Sequence, residues 1–232
     1  MKKLIVLCTI LFSPVVFSAI PDFASYTDVK QKKTAFFDYM YLLVLAENKK
    51  VMRDRRIVKA GEPSDKLRNI CEKYSNNCEQ IDQVKRNELL VRVDVIPPSL
   101  VLAQSANESA WGTSRFAKQG NNFFGQWCYS KGCGLVPLQR NAGTKHEVRK
   151  FDSPQQSVGG YIFNLNTGRA YSSLRKKRAI ARANDDLPSG HDLASGLTKY
   201  SERGDEYVKE IRSMISYNKL VKKYGNKFWQ EL

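Results

Sequence analysis

The chain has 232 residues, 42% of them hydrophobic, with 38 Lys and Arg against 23 Asp and Glu and a formal net charge of +15. That apolar fraction is ample for a sizeable core, which excludes a disordered or fibrous chain and suits one domain with room for an extension. The basic excess points to an anionic partner, drawn in by long-range attraction and counterion release, or to Lys and Arg that solvate exposed helices.

At the N-terminus Lys2 and Lys3 precede an almost wholly apolar run from Leu4 to Val16, and Ser18 offers a small residue for cleavage. This is the layout of a secretory signal peptide over residues 1–18, with an apolar run too short to span a bilayer comfortably. The expectation is an exported protein of the periplasm or cell envelope, without stable membrane insertion once the signal is removed. Residues 1–18 carry two lysines and no acid, so the remainder stays strongly basic. An exported basic protein meets an anionic wall or outer-surface polymer sooner than nucleic acid. The next most apolar stretch, Phe36 to Ala46, carries Asp38 and reads as a buried helix.

Helical signals dominate the remainder of the chain. Val29 to Arg56 has apolar residues at near-helical spacing, Ser64 to Tyr74 forms a short helix after Pro63, and Glu79 to Val93 forms another. Residues 19–90 are thus expected as a helical N-terminal extension, and 91–232 as the main domain. Pro97-Pro98 stops the chain and opens a helix that should run to Trp111 and end at Gly112, because proline fits a first turn where its missing N–H is not needed. From Gly120 to Arg149 glycines alternate with aromatics, which predicts loops and a small hairpin built from Leu135–Leu138 and Lys145–Phe151. Ser153-Pro154-Gln155-Gln156 has the form of a capping box, so a helix through Tyr161 and Leu165 should come next. A last long helix is predicted over Asp205–Tyr224, with Tyr207, Ile211, Met214 and Ile215 near its inner side. The expected fold class is α+β, mostly helical, with one small β-hairpin lobe, in a monomeric chain.

Cys8 falls in the signal segment and leaves Cys71, Cys78, Cys128 and Cys133. An even number in an exported chain favours disulfides. Three pairings exist, and proximity favours Cys71–Cys78 with Cys128–Cys133. A zinc site is the weaker rival, since neither pair has C-x-x-C spacing and His146 and His191 are the only histidines. No glycine-rich phosphate loop, Ser or Cys nucleophile pattern or metal-ligand spacing is present, so no cofactor is expected.

The segment with most chemical content is the helix from Pro98. Glu108 shares a stripe with Val101, has Gln104 and Ser105 one turn below, and Trp111 one turn ahead. A carboxyl among small, apolar and aromatic neighbours loses hydration, which favours its protonated form. Cleavage of a glycosidic bond needs such an acid, because the leaving oxygen must receive a proton.

The sequence Ala-Gln-Ser-Ala-Asn-Glu-Ser-Ala-Trp-Gly over 103–112 resembles the catalytic-helix motif of the glucosaminidases of glycoside hydrolase family 73. Gly120-Asn-Asn-Phe-Phe-Gly125 looks like their G-N-N-L-F-G turn, and residues 126–137 are similar to the Bax-like bacterial members of that family. The likeness spans about residues 90–220, including Phe151–Ser157 and Tyr200–Tyr207, although Ser201-Glu202 departs from the Ala-Thr of the family's last motif. The resemblance implies a lysozyme-like fold and an endo-β-N-acetylglucosaminidase that cleaves the N-acetylglucosamine-β-1,4-N-acetylmuramic acid bond of peptidoglycan glycan strands. It places Glu108 as the general acid. It also implies that a second carboxylate, when present, lies on the β lobe, where Glu147 is the candidate; Asp152 reads as part of the turn before Ser153.

Sugar faces would stack on Phe124, Trp127 and Tyr200, and sugar hydroxyls would bond to Asn122 and Gln126; the alternative for Phe123 and Phe124 is that they are core plugs holding the turn. In a substrate-assisted reaction Tyr200 or Tyr207 would steady the acetamido group. Inversion and retention remain alternatives, distinguished by carboxyl separations of about 6.5–9.5 Å and about 5–5.5 Å. Two other readings fit the same residues: a lytic transglycosylase, which can work with one glutamate, and a non-catalytic cationic protein that binds the wall.

Overall fold

The computed structural model describes residues 20–138, 143 and 145–232, so the expected signal segment lies outside the described residues. The longest element, α1 (Val29–Ala60), starts where the Asp28 side chain accepts the Gln31 N–H and ends where Gly61 turns left-handed. Phe36, Phe37, Met40, Leu43 and Val44 are buried along it while Leu42 faces solvent. Helices α2 (Asp65–Tyr74) and α3 (Gln83–Arg92) are capped in the same way by Ser64 and Asp82. Helix α1 packs on α2 and α3 and also on α4 (Pro98–Glu108) and α6 (Pro154–Thr167). The segment expected as an extension therefore contributes to the same apolar cluster as the rest of the chain.

Two polar ties fix the irregular stretch that leads into α4. Buried Asn48 donates to the Ile96 carbonyl at 3.1 Å and accepts the Ile96 N–H at 2.9 Å. Asp94, only 2% exposed, receives Arg182 at 3.0 and 3.1 Å and faces Arg55 and Arg178 at 3.7 and 3.8 Å. Burial opposes the Asp94 charge, but the surrounding guanidinium groups prevail and hold its carboxyl below the usual range. Arg178, itself buried, also donates to the carbonyls of Val91, Arg92, Asp94 and Val95 and to Asn166 Oδ1. The cluster joins α6 and α7 (Ser172–Ala183) to the entry of α4.

The expected hairpin is present and is enlarged by one strand. β1 (Trp127–Cys128), β2 (Gly134–Leu135) and β3 (Glu147–Arg149) form an antiparallel sheet in the order β1-β3-β2, with Trp127 opposite Val148 and Leu135 opposite the same residue. Both favoured disulfides form, Cys71–Cys78 tying the last turn of α2 to the loop after it and Cys128–Cys133 across the loop between β1 and β2. Helix α6 carries the Ser153 cap, which accepts the Gln156 N–H, but the Gln156 side chain reaches back to the Asp152 N–H rather than to that of the cap itself, so the expected box is displaced by one residue.

The short α8 (Gly190–Leu193) packs on α4, and helix α5 (Arg115–Gly120) packs on β2 and β3. The predicted last helix is divided. α9 (Asp205–Tyr217) stops near Lys219, which has a φ of +53°, and a π-helical turn at Val221–Gly225 leads into α10 (Asn226–Glu231). The result is a mostly helical α+β fold of lysozyme-like type with a small three-stranded lobe.

Candidate active site

Helix α4 ends earlier than its sequence suggests, and the difference positions its carboxyl. Ala110, Trp111 and Gly112 take φ values of +50°, +60° and +76°, so Glu108 is the last helical residue rather than one facing a further turn. Ser109 secures the reversal by donating to the Ser105 carbonyl at 2.6 Å and accepting the Gly112 N–H at 2.8 Å. Trp111 packs edge-on against Phe36 and Phe37 of α1.

Glu108 is half-buried, and loss of hydration is the largest influence on it; its carboxyl is pushed above the ordinary glutamate range. The Tyr207 hydroxyl opposes this by donating to Oε1 at 2.7 Å. Glu210 adds to the upward push and Arg203 reduces it, and these two side chains are themselves ion-paired. Behind Tyr207, Nε2 of Gln104 donates to the phenol oxygen at 2.9 Å, and Tyr161 donates to Oε1 of Gln104. Burial holds the phenols of Tyr161, Tyr200 and Tyr207 far above their usual titration range, so they remain protonated donors.

The other carboxyl oxygen, Oε2, borders the Gly120–Gly125 turn: a Cβ on Gly125 would lie 3.8 Å from it. The turn is held internally. Asn122, 1% exposed, donates to the carbonyls of Gln126 and Arg149 and accepts the N–H groups of Phe124 and Gln126. Phe124 is 2% exposed and stacks on Tyr161 with centroids 4.0 Å apart. These two side chains, expected against sugar, point into the fold, where their hydrogen-bonding and stacking capacity is already used. Gln126 is half-buried, its amide oxygen accepting the Tyr161 N–H at 2.9 Å and its nitrogen donating to Ser157 Oγ at 3.0 Å.

Tyr200 donates its hydroxyl to the Phe124 carbonyl at 2.9 Å and lies parallel to Tyr207 at 5.3 Å. Both hydroxyls expected to steady an acetamido group are therefore engaged by protein atoms, one by the turn and one by the acid. Trp127, by contrast, is 55% exposed, with one face on His146 at 4.0 Å. It has the open flat surface that sugar stacking requires.

Glu147 is in the β lobe as expected, but its side chain is directed inward. Oε1 accepts the Gly132 N–H at 3.0 Å and Oε2 the Gly134 N–H at 2.8 Å, which places it against the loop closed by Cys128–Cys133. The Sγ atoms of that bridge are the neighbours that bring Glu147 into a Cys-Cys-Glu group, and their disulfide removes the thiolates a metal would need. Gln104, read from the sequence only as a neighbour of Glu108 on its helix, and Tyr161, read only as part of α6, both carry part of the site. Gln104 lies one helical turn below Glu108, but Tyr161 is 57 residues away from it along the chain, beyond any local pattern.

The family model for glucosaminidases, described as mannosyl-glycoprotein endo-beta-N-acetylglucosaminidase, matches residues 86–220. The chain belongs to the glucosaminidase family. It is also 32% identical over 213 residues to "Protein bax" of Escherichia coli (strain K12), across 87% of this chain and 75% of that protein. No solved structure matches it. Family membership gives the site a glycosidase character and a glycan as its class of substrate. The matched region contains α4, the turn, the β lobe and α9, and with them Glu108, Gly125 and Tyr207.

Proposed function

We propose that the chain is an exported peptidoglycan hydrolase, an endo-β-N-acetylglucosaminidase that cleaves the N-acetylglucosamine-β-1,4-N-acetylmuramic acid bond with Glu108 as general acid. The observation that carries this reading is the setting of Glu108: a desolvated carboxyl at a helix end, with one oxygen held by Tyr207 and the other beside the open turn at Gly125. Desolvation keeps its proton available, and transfer to the bridging oxygen lets the sugar leave as a neutral alcohol. The anion left behind gains strength in its bond from Tyr207, because hydrogen bonds to a charged acceptor are roughly twice as strong as neutral ones.

Trp127 supplies a stacking face for a sugar ring, and Gln126 and Tyr200 shape the adjacent wall. Glu147, the second carboxylate expected from the sequence, is buried with both oxygens accepting backbone N–H groups, so as it stands it braces the β lobe, and inversion would require it to be released from these donors. Because the Tyr200 and Tyr207 hydroxyls are already engaged, attack by the substrate's own acetamido oxygen would use the substrate's geometry more than a tyrosine. The basic surface draws the protein to the anionic wall, and this attraction weakens as salt is added.

Mass spectrometry of digests of purified wall separates the outcomes. Fragments ending in reducing N-acetylglucosamine support the proposal. Fragments ending only in 1,6-anhydromuramic acid make the chain a lytic transglycosylase, and an intact wall that retains bound protein makes it a scaffold.

A further inference from the structure

The hydrogen bonds behind Glu108 run in one direction. Tyr161 donates to Oε1 of Gln104, Nε2 of Gln104 donates to the Tyr207 oxygen at 2.9 Å, and Tyr207 donates to Oε1 of Glu108 at 2.7 Å. Gln104 is 0% exposed, Tyr161 1% and Tyr207 3%, so water offers no substitute partner. An amide nitrogen only donates and a phenol has a single proton. With the Gln104 nitrogen aimed at Tyr207, the Tyr207 proton is left for Glu108. If the amide were reversed, its oxygen would claim that proton and Glu108 would lose its donor. Tyr161 opposes the reversal, because its own buried proton would then lose the Gln104 oxygen as acceptor, at the cost of an unsatisfied polar group. Its ring is clamped parallel to Phe124, 12° from coplanar, which limits its freedom to find another.

We propose that Gln104 and Tyr161 are positioning residues that fix the sense of this relay, so that Oε1 of Glu108 always receives the Tyr207 proton and the transferable proton rests on Oε2. The inference builds on Glu108 being the general acid. Oε2 is the oxygen beside Gly125, where the absence of a side chain leaves the turn open. In the chemical step the Oε2–H bond breaks, its proton joins the bridging oxygen, and the electron pair stays on the carboxylate. The relay loses no proton; it holds the anion through Oε1. An acid with no such directing relay would divide its proton between two oxygens, one of them facing the protein.

The test compares Tyr161→Phe, Tyr207→Phe and the double variant, since Tyr161→Phe removes one hydroxyl and keeps the stacked ring. Two readouts are taken: the Glu108 carboxyl titration by carbon-13 NMR, assigned by its disappearance in Glu108→Gln, and the hydrolysis rate of purified wall across pH. Tyr207→Phe is expected to move the Glu108 midpoint upward and to slow hydrolysis on the order of tenfold, the loss of one bond to a charged acceptor. Tyr161→Phe is expected to move the midpoint the same way by less, with a loss of about threefold, and the double variant to match Tyr207→Phe alone. Gln104→Met, which releases the Tyr207 hydroxyl from its fixed partner, supplies the same comparison if Tyr161→Phe does not fold. An unmoved midpoint in Tyr161→Phe, or losses that multiply in the double variant, would overturn the proposal. Undiminished hydrolysis by Glu108→Gln would instead refute the acid itself, and with it the purpose of the relay, whatever the titrations give.

Discussion

Gly125→Ala places one methyl group beside the acid and nowhere else. Gly125 has a φ of +63°, and an added Cβ would stand 3.8 Å from Glu108 Oε2, in ordinary contact and without a clash. The backbone cost of a Cβ in the left-handed region is about 1–2 kcal/mol, partly offset by about 0.4–1 kcal/mol from the stiffer unfolded chain. A net loss near 1 kcal/mol lowers Tm by about 2–4 °C in a chain of this size. The effect on activity should be much larger, because the leaving oxygen must come within hydrogen-bond reach of Oε2 and a displacement of about 1 Å can cost on the order of 10²-fold. Gly143→Ala is the control: its φ is +83° and a Cβ there would meet nothing within 4 Å. Thermal melts and wall-digestion rates of both variants provide the assay. Similar losses of stability, with a fall in rate confined to Gly125→Ala, are expected. Equal rates in the two variants would show that substrate does not approach Oε2 past this turn.

Three further outcomes rest on the same structure. Asp94→Asn leaves Arg55, Arg178 and Arg182 without their buried anion and should cost about 3–5 kcal/mol in chemical denaturation. Because the folded Asp94 carboxyl titrates below its unfolded value, its contribution is present above the unfolded value and is lost as pH falls through the folded one; the variant should remove that part of the acid sensitivity. For Glu108 the sign reverses. Its folded value is raised, so its contribution is fully present below the unfolded value and disappears as pH rises through the folded one. Hydrolysis should likewise decline on the alkaline side as the proton is lost, and Glu108→Gln should melt higher than wild type at neutral pH, with the gap closing in acid. Replacing Cys128 and Cys133 by Ser frees the loop that donates Gly132 and Gly134 N–H to Glu147; activity should fall further than the modest loss of stability explains, whereas the same change at Cys71 and Cys78 should affect stability alone.

Much of the fold was legible because it is written locally. The cap at Ser153, the opening of α4 at Pro97-Pro98 and the short cysteine separations all depend on residues within a turn or two of one another. The end of α4 was not legible, since nothing in Ser109-Ala-Trp announces left-handed backbone; Trp111 is held there by packing on Phe36 and Phe37, far away in sequence. Residues 19–90 look like an appendage in sequence, yet α1 supplies a face on which α4 and α6 pack. At the site, the helix stripe alone does not separate Glu108 from a surface glutamate, and its assignment as the acid comes from the likeness of residues 103–112 to the family's catalytic-helix motif. The inward turn of Asn122 is not legible, because residue type alone does not distinguish an amide that bonds sugar from one that braces a turn, whereas Phe124 reads equally as a core plug and as a sugar platform. Tyr207 was recognised as a hydroxyl near the substrate; its bond to Glu108 spans 99 residues and belongs to the tertiary fold.

The most direct measurement is the rate at which Glu108→Gln digests purified peptidoglycan, with mass spectrometry of the released fragments. Glutamine keeps the shape of the side chain and can still accept the Tyr207 bond, but it has no proton to give to a leaving oxygen. A fall of about 10²–10⁴-fold in fragments ending in N-acetylglucosamine is expected, from a protein that is folded and still bound to the wall. Fragments released at the wild-type rate would contradict it.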